Sequence, residues 1–375
     1  MISVCIIAKN EEKNMARCLE SLTGSGAELV VVDTGSSDRT RGIAEKYTGS
    51  VYDFAWCDDF SAAKNYAVSK AANDLVLVVD SDEFLDPLPE SGWKELENQA
   101  GRNPHAVGRI RRRNVFMRDG VRQENREWVN RIFDRRRFHY EGRIHEQIVG
   151  IEEGEDYQTW LSPLVFLHTG YDLTPEEKKQ KTQRNILLLD RELAQVQAVA
   201  EEMRRNNGDV TGAAELEGKI PYLLYQLGKS YYMAGEYRRS CEYFAQGLSF
   251  DLNPKLEYVI DMVETYGYAL LNSGQEQEAL FFENIYEEFG TSADFQFLMG
   301  LIYMKNARFD EAVAEFERAQ RHRDCRSAGV NSYAANYNIG VILECLGNTE
   351  QARAYYRKCE DYAPARKRLE QEKFS

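Results

Sequence analysis

The chain has 375 residues, of which 43% are hydrophobic, 11% aromatic and 29% charged, a composition typical of a globular protein with more than one domain. Its formal net charge of −14 disfavours general nucleic-acid binding, because a phosphate backbone would be repelled. No apolar stretch reaches the ~20 residues of a transmembrane helix and no secretory signal pattern begins the chain, so we expect a cytoplasmic protein without a transmembrane segment.

The first ninety residues alternate between short apolar runs and segments with helical spacing. The runs are ISVCIIA, ELVVVD and DLVLVVD, and the helical segments are NMARCLESLT, TRGIAEKY and DFSAAKNYAVSKAA. Buried strands that alternate with helices predict a mostly parallel sheet covered on both faces. Ligands bind such sheets outside the carboxyl ends of the strands, so we expect the functional site there.

Each of these three strands ends in polar residues. They are Lys9, Asn10 and Glu11 after the first, Asp33, Thr34 and Gly35 after the second, and Asp80, Ser81 and Asp82 after the third. In an extended chain Asp80 and Asp82 point the same way, about 6–7 Å apart along the backbone. Two such carboxylates suit Mg²⁺ or Mn²⁺, which usually share their ligands with substrate phosphates. Each signal alone is typical of a turn, but their order at three strand ends favours a nucleotide-sugar site.

Residues from Gly108 to Tyr171 have a strand-like, aromatic pattern, which predicts that the sheet continues there with hairpins. Twelve arginines and five acidic residues lie between Arg109 and Arg143. This stretch is either a solvated hairpin surface or a rim that attracts an anionic substrate.

The motifs CIIAKNEEKNMARCLESL, VVVDTGSSDRT, WCDDFSAAKNYA and VVDSDE together resemble the consecutive motifs of family-two glycosyltransferases. The resemblance covers roughly residues 1–170 and implies a GT-A fold, a Rossmann-like α/β nucleotide-sugar domain. It also implies inverting transfer of a hexose from a UDP-sugar, assisted by Mn²⁺ or Mg²⁺. The residues that it assigns to the nucleotide-sugar are Ala8, Asn10, Glu11, Asp33, Lys64, Asp80 and Ser81. Those that it assigns to the metal are Asp80, Asp82 and His168.

The catalytic base should be a carboxylate within hydrogen-bond reach of the acceptor. Glu146, in YEGRIHEQI, lies where family members commonly place an acidic residue, and Glu127, in NREWVNRIF, is the alternative. Glu146 would otherwise form an ion pair within the arginine-rich hairpins. His168 ends an apolar strand, where a lone histidine is more often a core residue than a ligand; the resemblance is what favours a metal ligand.

The C-terminal part of the chain contains four similar units. They align on Gly228, Gly267, Gly300 and Gly340, with Ser240, Ala279, Ala312 and Ala352 each twelve residues later. This spacing is typical of tetratricopeptide repeats, in which small residues let two helices approach closely. We therefore predict a GT-A domain at 1–173, a helical linker at 174–219 and an all-α tetratricopeptide solenoid at 220–375.

This architecture resembles bacterial peptide and protein glycosyltransferases, including the S-glycosyltransferases that modify glycocins. A solenoid groove suits an extended peptide, so we expect a polypeptide acceptor modified at Cys or at Ser/Thr. The same surface would also suit a homodimer. Two alternatives are the same chemistry on a lipopolysaccharide or lipid-linked saccharide, and a non-catalytic adaptor built on the repeats.

Overall fold

A computed structural model describes residues 1–118, 121–152, 157–168, 175–207 and 210–371. It divides the chain into two compact units, Met1–Thr174 and Pro175–Ser375. The described strands of the first unit are β1 (Ile2–Ala8), β2 (Glu28–Asp33), β3 (Val51–Asp53), β4 (Leu75–Asp80), β5 (Glu83–Leu85), β6 (Ala106–Arg118), β7 (Val121–Asp134), β8 (Phe138–Glu141), β9 (Gln147–Gly150) and β10 (Gln158–His168). The described helices of this unit are α1 (Met15–Leu22), α2 (Thr40–Ala44), α3 (Phe60–Ser69) and α4 (Glu90–Arg102).

Eight strands form one sheet in the order β3-β2-β1-β4-β7-β6-β10-β5. The four strands β3, β2, β1 and β4 pair in parallel, as the alternating pattern predicts. Beyond them the sheet is mixed, because the β6–β7 hairpin makes β7 antiparallel to β4 and β5 runs antiparallel to β10. Strands β8 and β9 form a separate two-stranded sheet.

Both faces of the large sheet are buried. Along β1, Val4 and Ile6 pack into one core cluster, which also contains Leu19 of α1, whereas Cys5 packs into another with Ala67 of α3. Successive side chains of a strand point to opposite faces, so a continuous apolar run needs cover on both sides. This explains why β1, β2 and β4 lack polar alternation.

The register of the sheet aligns the carboxyl ends of three strands. Ala8 on β1 lies opposite Asp33 on β2, and Ile7 lies opposite Asp80 on β4. The polar residues that follow these strands therefore share one edge of the sheet.

The elements that the structure describes in the second unit are helices joined by turns and loops. Its helices are α5 (Pro175–Glu202), α6 (Val210–Glu217), α7 (Ile220–Met233), α8 (Tyr237–Gly247), α9 (Glu257–Asn272), α10 (Tyr286–Phe289), α11 (Ala293–Lys305), α12 (Phe309–Ala319), α13 (Tyr333–Cys345), α14 (Thr349–Arg357) and α15 (Ala363–Gln371), with a π-helix at Met203–Asn207 and a 3₁₀-helix at Glu278–Ile285. The predicted fold class, an α/β domain followed by helical repeats, is confirmed. In the parts of the chain that the structure describes, no helix combines the length and apolar character needed to cross a membrane.

Glycine and a small residue allow close packing of the paired helices. A Cβ atom placed on Gly300 would lie 2.6 Å from the Phe316 ring, and one on Gly340 would lie 2.5 Å from the Tyr356 ring. The hydroxyl of Ser240 donates to the carbonyl of Gly228, twelve residues earlier, at 2.8 Å. The twelve-residue spacing between Gly228 and Ser240 therefore places both residues where the two helices of the repeat touch.

Candidate functional site

The loops after β1 and β2 are joined by hydrogen bonds. Asn10 has a positive φ of 56°, and its backbone N–H donates to the Ser36 hydroxyl at 2.9 Å. Its side-chain oxygen accepts from the backbone N–H of Ser37 at 2.8 Å. Glu11 donates its backbone N–H to the Thr40 hydroxyl at 2.7 Å. These contacts place the ends of β1 and β2 side by side.

Asp33 is 6% exposed and accepts two hydrogen bonds from its own turn. The backbone N–H and the hydroxyl of Ser36 donate to its Oδ1 at 3.1 and 2.5 Å. Gly35, between them, has a φ of +97°, a conformation that glycine adopts without strain. Ala8 is buried at the end of β1, and its carbonyl accepts the backbone N–H of Thr34 at 2.9 Å. Asp33 therefore stabilises the turn that shapes this edge of the site.

Lys64 lies between two predicted site residues. It is 3% exposed, and its Nζ is 3.0 Å from Asp80 Oδ1 and 2.6 Å from Glu146 Oε1. Burial disfavours the charged ammonium, but the carboxylates of Asp80 and Glu146 outweigh burial and raise the pKa of Lys64 above its ordinary value. The structure thus brings the candidate base and the first acid of the Asp-Ser-Asp motif together through one cation.

Helix α3 is held in position for this contact. The side chain of Asn65, next to Lys64, donates to the carbonyl of Tyr140 at 2.9 Å and accepts its backbone N–H at 2.8 Å. Phe60, at the start of the helix, donates its backbone N–H to the carbonyl of Arg143 at 2.8 Å. These bonds fasten α3 to β8 and to the bend that carries Glu146.

The bend before Glu146 contains unusual backbone geometry. Gly142 and His145 both have positive φ, 96° and 53°. For histidine this left-handed conformation is uncommon, and such strain concentrates at functional sites. The Glu146 side chain is 13% exposed, so it is enclosed but still reaches solvent.

Arg131 on β7 was not predicted from the sequence. It is 5% exposed, and its Nη2 donates to Asp80 Oδ2 and, at 3.0 Å, to Glu83 Oε1. Burial alone would disfavour the charged carboxylate of Asp80, but Arg131 and Lys64 hold the pKa of Asp80 well below its usual range. The available signal was an arginine directly before Ile132 and Phe133 in the strand-like segment VNRIF, where a buried charge requires a partner.

Glu83 on β5 was also missed, although it directly follows the Asp-Ser-Asp motif. Its side chain is fully buried and it accepts from Arg131 and, at 3.2 Å, from Arg112. Its Oε2 accepts the backbone N–H of Asp80 at 3.0 Å. Glu83 therefore holds the end of β4 and the two arginines in one network, and Ser81, 7% exposed, lies within the same turn.

Asp82 and His168 form the second pair of the site. His168 Nε2 is 3.3 Å from Asp82 Oδ2, and Nδ1 is 2.7 Å from Asn114 Oδ1. Since Asn114 Nδ2 donates to Asn125 and Glu127, Asn114 Oδ1 must accept from Nδ1–H of the histidine. With Nδ1 engaged by Asn114, Nε2 is the ring nitrogen that faces Asp82.

The predicted three-residue metal set is not assembled as a unit. Asp82 and His168 lie together, but the oxygens of Asp80 bind Lys64 and Arg131 instead. Among the described residues no three His, Cys, Asp or Glu side chains are grouped so as to hold a metal ion. A carboxylate and an imidazole remain a suitable donor pair for Mn²⁺, and an Asn partner on the second imidazole nitrogen is a common outer-shell arrangement.

Several described arginines of the β6–β7 hairpin are paired with acids. Arg112 binds Glu127 at 2.9 Å, and Arg113 binds Glu124 at 2.9 Å and Asp86 at 3.0 Å. The alternative base, Glu127, is thus part of this ion-pair network.

A cavity of about 570 Å³ lies elsewhere, at the opposite ends of the strands. It is lined by residues that include Leu75, Ala106, Asp134 and Trp160, at the start of β4 and β6 and the end of β7. None of the predicted site residues lines it.

Residues 3–150, within the first unit, match the model of Glycosyl transferase family 2. Residues 222–246, 293–321 and 333–366 match tetratricopeptide repeat models. The chain therefore joins a family 2 glycosyltransferase domain to C-terminal tetratricopeptide repeats, as the sequence motifs predict.

Three curated relatives illustrate the similarity. The SPbeta prophage-derived glycosyltransferase SunS of Bacillus subtilis is 23% identical over 251 residues, 66% of this chain and 53% of the relative. The lipopolysaccharide core biosynthesis glycosyltransferase LpsC of Rhizobium meliloti is 30% identical over 157 residues, 40% of this chain and 57% of the relative. A TPR repeat-containing protein of Synechococcus elongatus is 43% identical over 98 residues, 26% of this chain and 24% of the relative. The chain thus spans between about a quarter and somewhat over half of these relatives.

Solved structures match at low similarity. The 1–349 fragment of Staphylococcus aureus TarS in complex with UDP covers 78% of this chain and 92% of its own, with 15% identity and a TM-score of 0.32. YrrB, a TPR protein with an unusual peptide-binding site, covers 50% of this chain and 90% of its own, with 21% identity and a TM-score of 0.33.

Proposed function

We propose that the protein is an inverting glycosyltransferase that transfers a hexose from a UDP-sugar to a polypeptide, at a Cys or Ser/Thr side chain. The observation that carries this proposal is the position of Lys64, whose ammonium joins Glu146 to Asp80 at the carboxyl ends of the strands. A general base next to a phosphate-binding edge is the arrangement that direct displacement at an anomeric carbon requires.

In this mechanism Glu146 accepts the proton of the acceptor hydroxyl or thiol. The acceptor atom forms a bond to the anomeric carbon while the bond from that carbon to the UDP oxygen breaks, and the negative charge passes to the diphosphate. Lys64 orients the Glu146 carboxylate, and the bend with positive φ at His145 presents it. If the acceptor is cysteine, a weaker base suffices, because thiols ionise more readily than hydroxyls.

Asp82 and His168 would hold a divalent cation, Mn²⁺ or Mg²⁺, with Asp80 two residues before Asp82. When bound, such a cation supplies charge neutralisation for a diphosphate leaving group. The contact between Asp82 and His168, whose other ring nitrogen is held by Asn114, supports this assignment. Ala8, Asn10, Glu11, Asp33 and Ser81, at the edge formed by the ends of β1, β2 and β4, complete the proposed donor site.

Measuring UDP binding and UDP release separately distinguishes the proposed role of Asp82 in the metal site from that of Glu146 as the base. UDP with Mn²⁺ should raise the midpoint of thermal unfolding of the wild type, and Asp82→Asn should abolish that increase. Glu146→Gln should keep the UDP-dependent increase and lose the release of UDP from UDP-glucose or UDP-N-acetylglucosamine. No effect of UDP on the wild type would favour the non-catalytic adaptor, and full turnover by Glu146→Gln would exclude Glu146 as the base.

The relative that acts in lipopolysaccharide core biosynthesis supports a second candidate, the same chemistry on a lipopolysaccharide or lipid-linked saccharide. The repeats favour the polypeptide, since stacked helical pairs form a surface that suits an extended chain or a second copy of the protein. Transfer of labelled sugar to purified lipopolysaccharide core, compared with transfer to a Cys- and Ser-containing peptide, distinguishes the two acceptors.

A further inference from the structure

The connection between α12 and α13, residues 320–332, is the longest between the described helices from α7 to α15. It accounts for the longer spacing between Gly300 and Gly340. Its chain is anchored to α11: the two carboxylate oxygens of Asp294 accept the backbone N–H groups of Arg326 and Ser327, both at 2.9 Å. Asp294 is 4% exposed, so this contact lies within the repeat unit.

The side chain of Arg326 reaches a second helix, α9. Its Nη2 donates to Glu264 Oε2, and its Nη1 is 3.5 Å from Asp261 Oδ1. We call Asp261, Glu264 and Asp294 the acidic groove; α9 packs against both α7 and α11, so the groove spans adjacent repeats. Arg326 itself is 43% exposed, so its side chain stays accessible to solvent while it occupies the groove.

The acidic groove is incompletely satisfied by Arg326. Glu264 is 6% exposed, and within the described residues its Oε1 is buried without a hydrogen-bond partner. A buried carboxylate oxygen left in this state is costly, whereas a guanidinium placed side-on binds both oxygens of a carboxylate. Arg326 therefore contacts one carboxylate oxygen of Glu264, although this carboxylate can accept a bidentate contact from a guanidinium.

Aromatic side chains adjoin the groove on α7 and α9. The rings of Tyr222, Tyr225 and Tyr258 have centroids between 5.4 and 5.8 Å apart, and the Tyr225 hydroxyl donates to Asp261 at 2.6 Å. Such rings add contact area for a peptide at low entropic cost, since each has few rotatable bonds.

We propose that the acidic groove binds an arginine-containing extended segment of a partner polypeptide, and that residues 320–332 occupy it in cis as a displaceable mimic. The contacts define the ligand. Its arginine side chain would contact Glu264 and Asp261, and the backbone N–H groups of the arginine and of the next residue would donate to Asp294. Proline has no N–H, so an Arg-Pro sequence is excluded. This site stands apart from the proposed activity, and its test needs no turnover.

The test uses fluorescence anisotropy with a labelled peptide that copies residues 324–330 with serine in place of Cys325. Full-length Arg326→Ala should bind this peptide about ten-fold or more tightly than the wild type, because an internal competitor lowers apparent affinity by the fraction of open groove. The matched control is Arg323→Ala, an exposed arginine of the same loop, which should bind like the wild type. Arg326→Lys, which keeps the cation, should resemble the wild type.

Peptide variants and groove variants test the specificity. A peptide with alanine in place of arginine, or with proline at the following position, should bind the Arg326→Ala protein at least about ten-fold more weakly than the original peptide does. Adding Glu264→Gln and Asp294→Asn to the Arg326→Ala protein should weaken binding of the original peptide by a similar factor. Equal binding by wild type and Arg326→Ala, or equal binding of all peptides, would overturn the proposal. Loss of the helical circular-dichroism signal in Arg326→Ala would also overturn it, since the loop would then be a structural brace that cannot leave.

Discussion

Replacing Lys64 by alanine removes the buried cation that joins two carboxylates of the candidate site. Its Nζ lies 2.6 Å from Glu146 and 3.0 Å from Asp80, and the Glu146 side chain is 13% exposed. Removing one member of a buried ion pair leaves the other charge uncompensated, which typically costs about 3–5 kcal/mol of unfolding free energy. Asp80 keeps Arg131, so we expect most of this loss to come from Glu146.

Tryptophan emission measures this loss in the first unit alone. All four tryptophans, Trp56, Trp93, Trp128 and Trp160, lie before Pro175. For a unit of this size, about 3–5 kcal/mol corresponds to a decrease of about 6–20 °C in the unfolding midpoint. The matched control is Lys46→Ala, an exposed lysine of the same unit, which should change the midpoint by less than about 2 °C.

A double-mutant cycle with Glu146→Gln isolates the pair. Once the carboxylate is neutral, loss of the ammonium should cost less, so the double variant should recover about 1 kcal/mol or more relative to the sum of the single changes. A midpoint of Lys64→Ala within 2 °C of the wild type, or strictly additive changes, would refute the conclusion that this ion pair holds the site together.

The other predictions concern the proposed metal ligands, the acidic groove and the repeats. Asn114→Ala removes the partner of His168 Nδ1 and should weaken Mn²⁺ binding about 10- to 100-fold, measured by calorimetry; unchanged affinity would exclude His168 as a ligand oriented by Asn114. Burial raises the pKa of Glu264 from its ordinary value of 4.5 to about 7. The folded protein therefore holds a proton on Glu264 that the unfolded chain releases, and the stability gained from this proton is complete below pH 4.5 and is lost as the pH rises through 7. Between pH 4.5 and 8 the unfolding free energy of the wild type, measured by circular-dichroism melts, should thus fall by up to about 3 kcal/mol more than that of Glu264→Gln. If the unfolding free energies of the two proteins changed with pH in parallel, this prediction would be wrong. Gly300→Ala forces a Cβ against the Phe316 ring and should destabilise the repeats by about 1–3 kcal/mol, whereas Gly274→Ala, at a helix end with open space but a φ of +77°, tests the cost of backbone strain alone.

The strand ends of the proposed donor site were predictable from the sequence because they depend on local pattern. An apolar run of four or five residues that stops at an acid places that acid at the edge of the sheet, and this predicted Asp33 and Asp80 at the ends of the two strands that flank β1. The short strand β5 and helix α4 were not predicted. β5, Glu83–Leu85, has only three residues, and its pairing partner is β10, about eighty residues further along the chain.

The partners within the site were less predictable than its members. Glu146 was the expected base and Glu127 the alternative, and only the structure pairs Glu127 with Arg112 and Glu146 with Lys64. Asp80 was expected to join Asp82 at a metal because of their spacing and of the family resemblance, and this stays a prediction. Two buried cations from α3 and β7 instead take up its oxygens, an arrangement that backbone alternation does not reveal.

The sequence by itself determined the two-part architecture, the strand-end position of the acids and the packing of the repeats, because apolar periodicity and the position of glycine act over a few residues. Only the tertiary structure decided which charges neutralise one another, including Lys64 with Glu146 and Arg326 with Glu264, separated by 82 and 62 positions along the chain. The physical reason is that a buried charge must find a partner of opposite sign, and the choice depends on which side chains the fold brings within about 3 Å of it.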